Sequence, residues 1–252
     1  MNVKVMIADV DDTICESTKV IKKDMIKAIV RLAESGTKIV FISGSTVDQI
    51  YWQISPFIRV DHYLVGTSGS AAEFVSKEGV RTKLFKKEFS KDQRNKVLEA
   101  FEDLIVCHLV YPMTTKEDQL QDRGTQITFS CLGRNAPKEA KKLFDPDKII
   151  RSRWVRFIKD RLGDKHLEYS INMGGTTSID VTLAGIDKAS GIRDVLAIIK
   201  ESPENCIFLG DNIDPGGNDY PATIVIKRFH KVKSLEDSVE ILNQILKDKT
   251  ND

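Results

Sequence analysis

The chain has 252 residues, of which 41% are hydrophobic and 30% charged, and its 38 lysines and arginines against 37 aspartates and glutamates give a net charge of +1. This composition is typical of a packed globular protein with one large or two modest domains. A net charge so close to zero excludes a long-range electrostatic field that would attract nucleic acid or an acidic membrane surface. No apolar run is long enough to cross a bilayer, so neither nucleic acid nor membrane is an expected partner.

The four cysteines favour a reducing compartment. Cys15, Cys107, Cys131 and Cys206 are scattered and form no Cys-x-x-Cys pair, so we interpret them as reduced thiols rather than a zinc site or a disulfide framework. The first residues enter an apolar strand without the basic-then-apolar layout of a signal peptide. Together these features predict a cytoplasmic protein.

An acidic cluster follows the first predicted strand. The apolar, β-branched run 3–8 is typical of a buried parallel strand, and Asp9, Asp11 and Asp12 come directly after it. Neighbouring carboxylates repel one another and are costly to bury unless a cation compensates them. A metal site is one interpretation. A solvated acidic turn that caps a helix is the other.

The chain then alternates between helix and strand. The spacing of apolar residues predicts helices over 22–35 and 47–54. Short apolar runs predict a second, buried strand over 38–42 and a third strand over 62–65. This rhythm predicts a parallel, right-handed α/β sheet with its site at the carboxyl ends of the strands. Ser43 to Thr46 follow the second strand, where small hydroxyls either bind phosphate or simply cap the next helix.

The pattern changes over residues 84–183. Here we predict helices over 90–106 and around 149–158, and strands over 126–131, 166–171 and 177–183. Such an order indicates an inserted α+β domain with an antiparallel sheet. Residues 1–83 and 184–252 would then form the main domain.

The α/β rhythm returns after the insertion. A helix is predicted over 187–200 with Lys188 in its first turn, then a strand over 206–209, a strand over 223–226 and a last helix after Ser234. The strand predicted over 206–209 ends in an acidic stretch that begins at Gly210-Asp211. A lysine such as Lys188 is by itself usually a solvated surface residue.

The strand-end residues Asp9, Asp11, Ser43, Lys188 and Asp211 together fit phosphoryl transfer through a carboxylate. One aspartate attacks phosphorus, and a second moves the proton. A divalent cation held by carboxylates, for which Mg²⁺ is the preferred match, offsets the phosphate charge. A lysine and hydroxyl donors stabilise the transferring group.

These motifs resemble the haloacid dehalogenase (HAD) superfamily of phosphotransferases. Asp9-x-Asp11-Asp12-Thr13 is similar to its first motif, Ser43 to the second, Lys188 to the third and Gly210-Asp211 to the fourth. The resemblance implies that Asp9 is the nucleophile and Asp11 the acid/base. It also implies that Asp9, Asp11 and Asp211 hold Mg²⁺, and that the fold is a Rossmann-like parallel-sheet core with a type IIB cap over 84–183.

A narrower resemblance is to the eukaryotic-type phosphomannomutases. It lies in Gly210-Asp211-x-x-x-Pro215-Gly216-Gly217-Asn218-Asp219, in Arg123-Gly124-Thr125 and Gly133-Arg134, and in Gly174-Gly175-x-x-Ser178-x-Asp180. The resemblance implies a sugar phosphate as substrate and pairing of two chains through the cap. The substrate-binding residues that it implies are Gly44, Arg123, Arg134, Lys141, Ser178, Asp180 and Asn218. Arginines suit phosphate because they bind it in a bidentate manner. The less favoured alternative is that Arg123 and Arg134 are two exposed arginines of the cap.

Several departures from the mutase pattern make a phosphatase our main expectation. A third cap arginine of that family falls on Lys141, the arginine after its first motif falls near Thr18, Asp12 replaces a glycine, and Ser43-Gly44 replaces a glycine pair. We therefore predict a Mg²⁺-dependent phosphatase that acts on a hexose phosphate through an aspartyl-phosphate. The alternative is a phosphomannomutase primed by a hexose bisphosphate, and the least favoured is a phosphate-binding module without turnover.

Overall fold

The computed structural model describes residues 3–250. The chain divides into two compact units, Met1–Lys86 with Ile186–Asp252 and Lys87–Gly185; we call them the first and the second unit. Among the described residues, no helix is long and apolar enough to cross a membrane.

The first unit is built on a seven-stranded sheet of order β11-β10-β1-β2-β3-β4-β5. Strands β1, β2, β3, β10 and β11 pair in parallel, whereas β4 and β5 are antiparallel. The strands are β1 (Val5–Asp9), β2 (Lys38–Ile42), β3 (His62–Gly66), β4 (Ala71–Val75), β5 (Arg81–Lys86), β10 (Cys206–Gly210) and β11 (Phe229–Lys231). The helices of this unit are α1 (Lys23–Glu34), α2 (Val47–Ile58), α7 (Lys188–Ile199), α8 (Tyr220–Val225) and α9 (Leu235–Thr250).

Helices cover both faces of this sheet because its central strands are apolar throughout. Met6 and Ala8 of β1 face one way and pack in a cluster with α1, α2 and α9. Val5 and Ile7 face the other way and pack with α7 and α8. The predicted α/β core is therefore confirmed, and the carboxyl ends of β1, β2 and β10 meet along one edge, as expected for parallel strands.

The strand predicted over 223–226 is wrong. Residues 223–225 belong to α8, which has Pro221 in its first turn and buries only Ala222 among its own residues. Proline is well suited to the first turn of a helix, whereas the β-branched run Thr223-Ile224-Val225 had suggested a strand. The strand of this region is β11, a short and exposed edge strand.

The second unit contains a four-stranded antiparallel sheet of order β6-β7-β9-β8. Its strands are β6 (Leu120–Asp122), β7 (Gln126–Ser130), β8 (Tyr169–Gly174) and β9 (Ser178–Leu183), and its helices are α3 (Lys91–His108), α4 (Lys116–Gln119), α5 (Lys138–Phe144) and α6 (Ile149–Leu162). Phe101 of α3 and Trp154 and Ile158 of α6 pack against one face of the sheet. The predicted α+β insertion is confirmed.

Some boundaries in and around the second unit differ from the sequence expectation. β5 extends to Lys86 in the first unit, past the boundary predicted between 83 and 84. The strand predicted from residue 166 begins at Tyr169, because Gly163–Glu168 form a 3₁₀ helix. The role of the second unit as a substrate-selecting cap stays a prediction.

A close backbone contact fixes the start of α7 against the turn at 67–69. A methyl group on Gly191 of α7 would lie 2.5 Å from Cα of Gly69, and one on Gly69 would lie 2.4 Å from the carbonyl oxygen of Asp187. Neither distance is compatible with a side chain. This contact holds the first turn of α7, and with it Lys188, near the carboxyl edge of the sheet.

We expect Gly191→Ala to lower the free energy of unfolding by about 1–3 kcal/mol, because overpacking outweighs the gain in helix propensity. Urea denaturation measures this. Gly44→Ala is the matched control, since its methyl group would meet only Ser68 Oγ, at 3.7 Å, and should change the unfolding free energy little. An unchanged or higher stability of Gly191→Ala would contradict the packing described here.

Candidate active site

Asp9 is the last residue of the central strand β1 and is 3% exposed. The chain turns immediately after it, where the carbonyl of Val10 accepts hydrogen bonds from the amides of Ile14 and Cys15, each at 2.9 Å. A buried carboxylate at the end of a central strand is costly unless it is paired, and the partner of Asp9 comes from the other end of the sequence.

That partner is Lys188, the first residue of α7. Asp187 caps the helix by accepting a hydrogen bond of 2.7 Å from the Ser190 amide, which orients the first turn. Lys188 is 2% exposed, and its Nζ donates hydrogen bonds to Oδ1 of Asp9 and to Oδ1 of Asp219. One ammonium group therefore bridges two buried carboxylates.

The pKa values follow from this arrangement. Burial raises the pKa of Asp9 to about 8; Lys188 opposes the rise, and Asp219 and Asp11 add to it. Burial by itself lowers the pKa of Lys188, but the carboxylates of Asp9 and Asp219 more than compensate, so its pKa is raised. Lys188 is therefore a stable cation. A single lysine does not fully offset two buried carboxylates, and this leaves the site short of positive charge.

A candidate metal centre lies in the same place. One carboxylate oxygen each from Asp9, Asp211 and Asp219 fall within 4.8 Å of one another. Burial raises the pKa of Asp211, and Asp219 adds to the rise. Hard carboxylate oxygens are the ligands that Mg²⁺ prefers, so the donor set and its excess negative charge fit a divalent cation.

Asp219 was not among the metal ligands predicted from the sequence, although it is the last residue of the motif that begins at Gly210. It is fully buried, and its Oδ2 accepts a hydrogen bond of 3.2 Å from the Asn212 amide. A methyl group on Gly210 would come within 2.6 Å of Asp219 Oδ2, so the chain approaches this carboxylate as closely as glycine allows. The available signal was the position of Asp219 at the end of the acidic stretch that starts at Gly210.

Asp11 and Ser43 pair with each other. Ser43 Oγ donates to Asp11 Oδ2 at 3.1 Å, and the Thr18 amide lies 3.4 Å from Asp11 Oδ1. Ser43 is buried at the end of β2, and its Oγ accepts from the Ser45 amide at 2.9 Å. Asp11 was predicted as a metal ligand, but the group of three mutually close carboxylates contains Asp219 and not Asp11.

Two further residues predicted to bind substrate lie in the first unit. Gly44 directly follows Ser43, and the nearest contact that a side chain there would meet is Ser68 Oγ. Asn218 is exposed, and its Oδ1 accepts a hydrogen bond of 2.8 Å from Asn212 Nδ2. Both lie in the loops that follow β2 and β10.

The remaining predicted residues belong to the second unit. Arg123 donates to Gln121 Oε1 at 2.9 Å; burial lowers its pKa, Asp180 opposes this and Arg134 adds to it. Lys141 Nζ donates to the carbonyl of Arg134. The structure thus brings Arg134 and Asp180 within electrostatic reach of Arg123.

Ser178 and Asp180 lie on strand β9 of the same sheet. Ser178 Oγ is 3.4 Å from Ser130 Oγ, and Asp180 Oδ1 accepts a hydrogen bond of 2.7 Å from Thr128 Oγ1. Burial raises the pKa of Asp180. Both residues face the side of the sheet opposite to the apolar cluster.

The α/β core with acidic strand ends, together with the inserted α+β unit, is the HAD-type fold expected from the sequence. Solved structures share this fold. An N-terminally truncated IMP-nucleotidase of Plasmodium falciparum bound to IMP has a TM-score of 0.72 at 14% identity, over 98% of this chain and 68% of that one. The protein SMU.1108c from Streptococcus mutans has a TM-score of 0.69 at 14% identity, over 97% of this chain and 99% of that one.

Sequence comparison identifies the family to which the chain belongs. The model of the eukaryotic phosphomannomutase family matches residues 25–248, so the chain belongs to that family. A phosphomannomutase of Dendrobium officinale is 27% identical over 240 residues, which are 94% of this chain and 91% of the relative. A phosphomannomutase of Drosophila melanogaster is 34% identical over 139 residues, which are 49% of this chain and 52% of the relative.

These matches correct the main functional expectation. The prediction of a phosphatase, and with it the assignment to the hydrolases, is wrong; the family supports the mutase that was its alternative. The error came from giving Lys141, Thr18 and Asp12 more weight than the longer matches around Arg123 and Gly210. Substitutions at single positions of a site change how strongly it binds a ligand, whereas membership in a family is judged from similarity along the whole chain.

Proposed function

We propose that this protein is an intramolecular phosphotransferase that interconverts mannose 1-phosphate and mannose 6-phosphate, primed by a hexose bisphosphate. The observation that carries this proposal is the bridge from Lys188 to Asp9 and Asp219, in a chain that matches the phosphomannomutase family over residues 25–248.

In this mechanism Asp9 is the nucleophile. One of its carboxylate oxygens attacks a phosphorus of the bisphosphate, a new P–O bond to Asp9 forms, and the P–O bond to the sugar breaks. The departing sugar oxygen takes a proton from Asp11. In the second half, a hydroxyl of the substrate gives its proton to Asp11 and attacks the aspartyl-phosphate, which regenerates the bisphosphate and frees Asp9.

Lys188 and Ser43 are suited to support this transfer. The buried ammonium of Lys188 contacts Asp9, so it lies where the negative charge of the phosphoryl group would develop. Ser43 hydrogen-bonds Asp11 and orients its carboxylate for proton transfer. Gly44, which directly follows Ser43, is proposed to donate a hydrogen bond from its backbone amide to the phosphate.

Asp9, Asp211 and Asp219 are the residues proposed to hold the cation. When bound, Mg²⁺ would screen the negative charge that the phosphate adds to three carboxylates. Asp11, expected from the sequence as a further ligand, is placed in the proton-transfer role because its oxygens already face Ser43 and the Thr18 amide.

The substrate-binding role stays a proposal for the residues of the second unit. Arg123 and Arg134 suit the second phosphate of a bisphosphate by charge and geometry. Lys141 supports Arg134 through its backbone carbonyl, which is a different role from a bidentate grip. Ser178 and Asp180 are proposed for the sugar. Asn218, which lies in the first unit, likewise stays a proposed substrate-binding residue.

Two further expectations are retained as proposals. Pairing of two chains through the second unit follows only from the resemblance to the family. A cytoplasmic location is supported by the four cysteines, all of which are free in the structure.

Phosphorus NMR on the purified protein with Mg²⁺ and mannose 1-phosphate tests the function. We expect conversion to mannose 6-phosphate that depends on a catalytic amount of glucose 1,6-bisphosphate, because the primer loads Asp9. A sample without the bisphosphate is the control and should remain unconverted. Release of inorganic phosphate without isomerisation, or no primed conversion at all, would contradict the proposal.

A further inference from the structure

The sheet of the second unit has one apolar and one polar face. Ile127 and Phe129 of β7 and Ile179 and Val181 of β9 point into the apolar cluster. Since side chains alternate along a strand, their neighbours Gln126, Thr128, Asp180 and Thr182 lie on the other face. We call these four the polar block.

In the register between β7 and β9, the polar block forms two pairs of directly opposite residues. Gln126 lies opposite Thr182, and Thr128 lies opposite Asp180. Directly opposite side chains in an antiparallel pair have their Cβ atoms about 4.5–5.5 Å apart. The four polar groups therefore form one compact patch next to Asp180, which is proposed above to bind the sugar.

A directed chain of hydrogen bonds runs through the polar block. Thr128 Oγ1 donates to Asp180 Oδ1 at 2.7 Å, and Gln126 Nε2 donates to Thr128 Oγ1 at 2.9 Å. Because a threonine hydroxyl has one proton, and that proton goes to the carboxylate, Thr128 must accept from the amide nitrogen of Gln126. This fixes the orientation of the amide and leaves the carbonyl oxygen of Gln126 as an acceptor.

Two atoms of the polar block are buried without a partner. Gln126 is 2% and Thr182 is 4% exposed, and within residues 3–250 neither Gln126 Oε1 nor Thr182 Oγ1 makes a hydrogen bond. Buried polar atoms are rarely left unpaired, since the cost of removing them from water is then not recovered. Here two such atoms belong to residues that face each other in the strand register.

We propose that Gln126 and Thr182 bind hydroxyl groups of the hexose and so help to determine which sugar phosphate is accepted. Gln126 Oε1 accepts a hydrogen bond from one hydroxyl, and Thr182 Oγ1 can donate to or accept from the same or a neighbouring one. Thr128 holds both Gln126 and Asp180 in register for this contact. The inference rests on the proposed function, because it takes the ligand to be a hexose phosphate.

The variants that test this proposal remove the hydrogen-bonding atoms of Thr182 and Gln126 and keep the approximate shape of each side chain. Thr182→Val replaces the hydroxyl with a methyl group, Gln126→Met replaces the amide with an apolar chain of similar length, and Thr182→Ser keeps the hydroxyl as a rescue. Each protein is assayed for bisphosphate-primed conversion of mannose 1-phosphate and glucose 1-phosphate. Thermal unfolding and calorimetric binding of mannose 6-phosphate are measured in parallel.

We expect Thr182→Val and Gln126→Met each to raise KM for mannose 1-phosphate and weaken mannose 6-phosphate binding by about 10-fold, the equivalent of one lost hydrogen bond. kcat should change much less. The ratio of mannose 1-phosphate to glucose 1-phosphate activity should fall. Thr182→Val should unfold at the same or a higher temperature than the parent, because an unpaired buried hydroxyl is removed, and Thr182→Ser should retain the parental KM.

A merely structural role predicts a lower unfolding temperature with unchanged KM and binding, and that result would overturn the inference. Changes below about twofold in both variants would do the same, since they would assign the unpaired atoms to water alone. A parent protein that binds mannose 6-phosphate but shows no primed conversion would defeat the proposed function and leave the binding comparison decisive. A parent that binds neither mannose phosphate would defeat both.

Discussion

Asparagine in place of Asp9 is expected to reduce turnover on the order of 10⁶-fold, the scale of losing a nucleophile that acts as one unit with its proton-transfer partner. Asparagine has the same shape as aspartate but cannot form the acyl phosphate. The fold should persist, since Lys188 keeps its ion pair with Asp219. Primed conversion followed by phosphorus NMR gives the rate, and far-UV circular dichroism checks the fold.

Asp12→Asn is the matched control for this experiment. Asp12 lies three residues away and carries the same charge, but it is exposed. Its backbone φ of 60° is a left-handed conformation that asparagine tolerates. We expect it to retain most of the parental rate. Turnover of Asp9→Asn at the parental rate would rule out the covalent mechanism.

Methionine in place of Arg151 is expected to lower the free energy of unfolding of the second unit by about 3–5 kcal/mol, because it leaves Asp145 as an uncompensated buried charge. The side chains of Arg151 and Asp145 are 2% and 3% exposed, with Nε and Oδ2 2.9 Å apart. Arg151 also donates to the carbonyls of Gly174 and Gly175, at 3.2 and 3.0 Å. The change therefore also frees the turn between β8 and β9.

Urea unfolding followed through the fluorescence of Trp154, which lies in the apolar cluster of the second unit, measures this loss. Arg161→Met is the control: the same substitution on the same helix breaks an ion pair with Asp103 whose side chains are 53% and 42% exposed. Exposed pairs contribute at most about 1 kcal/mol. Equal losses in the two variants would mean that burial does not govern the strength of the Arg151 pair.

Much of the first unit could be predicted because its signals are local. Apolar runs of strand length alternate with helical periods, and a parallel sheet collects the residue after each strand at one edge. Asp9 ends a strand, and Ser43 and Asp211 each follow one directly, so their approximate location followed from the sequence. Lys188 followed from its position in the first turn of a helix that Asp187 caps.

The sequence was misleading where local preference and tertiary context disagree. Thr223-Ile224-Val225 has a strong preference for strands, yet Pro221 and packing against α7 place it in a helix. The weight given to Lys141 was similarly misplaced. Its side chain supports the Arg134 carbonyl, a role that a comparison of residue types with a family pattern does not reveal.

By itself, the sequence determined the two-unit α/β architecture, the acidic strand ends and the lysine that serves them, since these depend on periodicity and on positions next to strands. Only the tertiary structure shows that Asp219, and not Asp11, lies in the group of close carboxylates with Asp9 and Asp211, and that Gln126 faces Thr182. Those relations depend on how a loop folds back after β10 and on the register between β7 and β9. Both are set by packing between segments far apart in the chain, which local patterns do not encode.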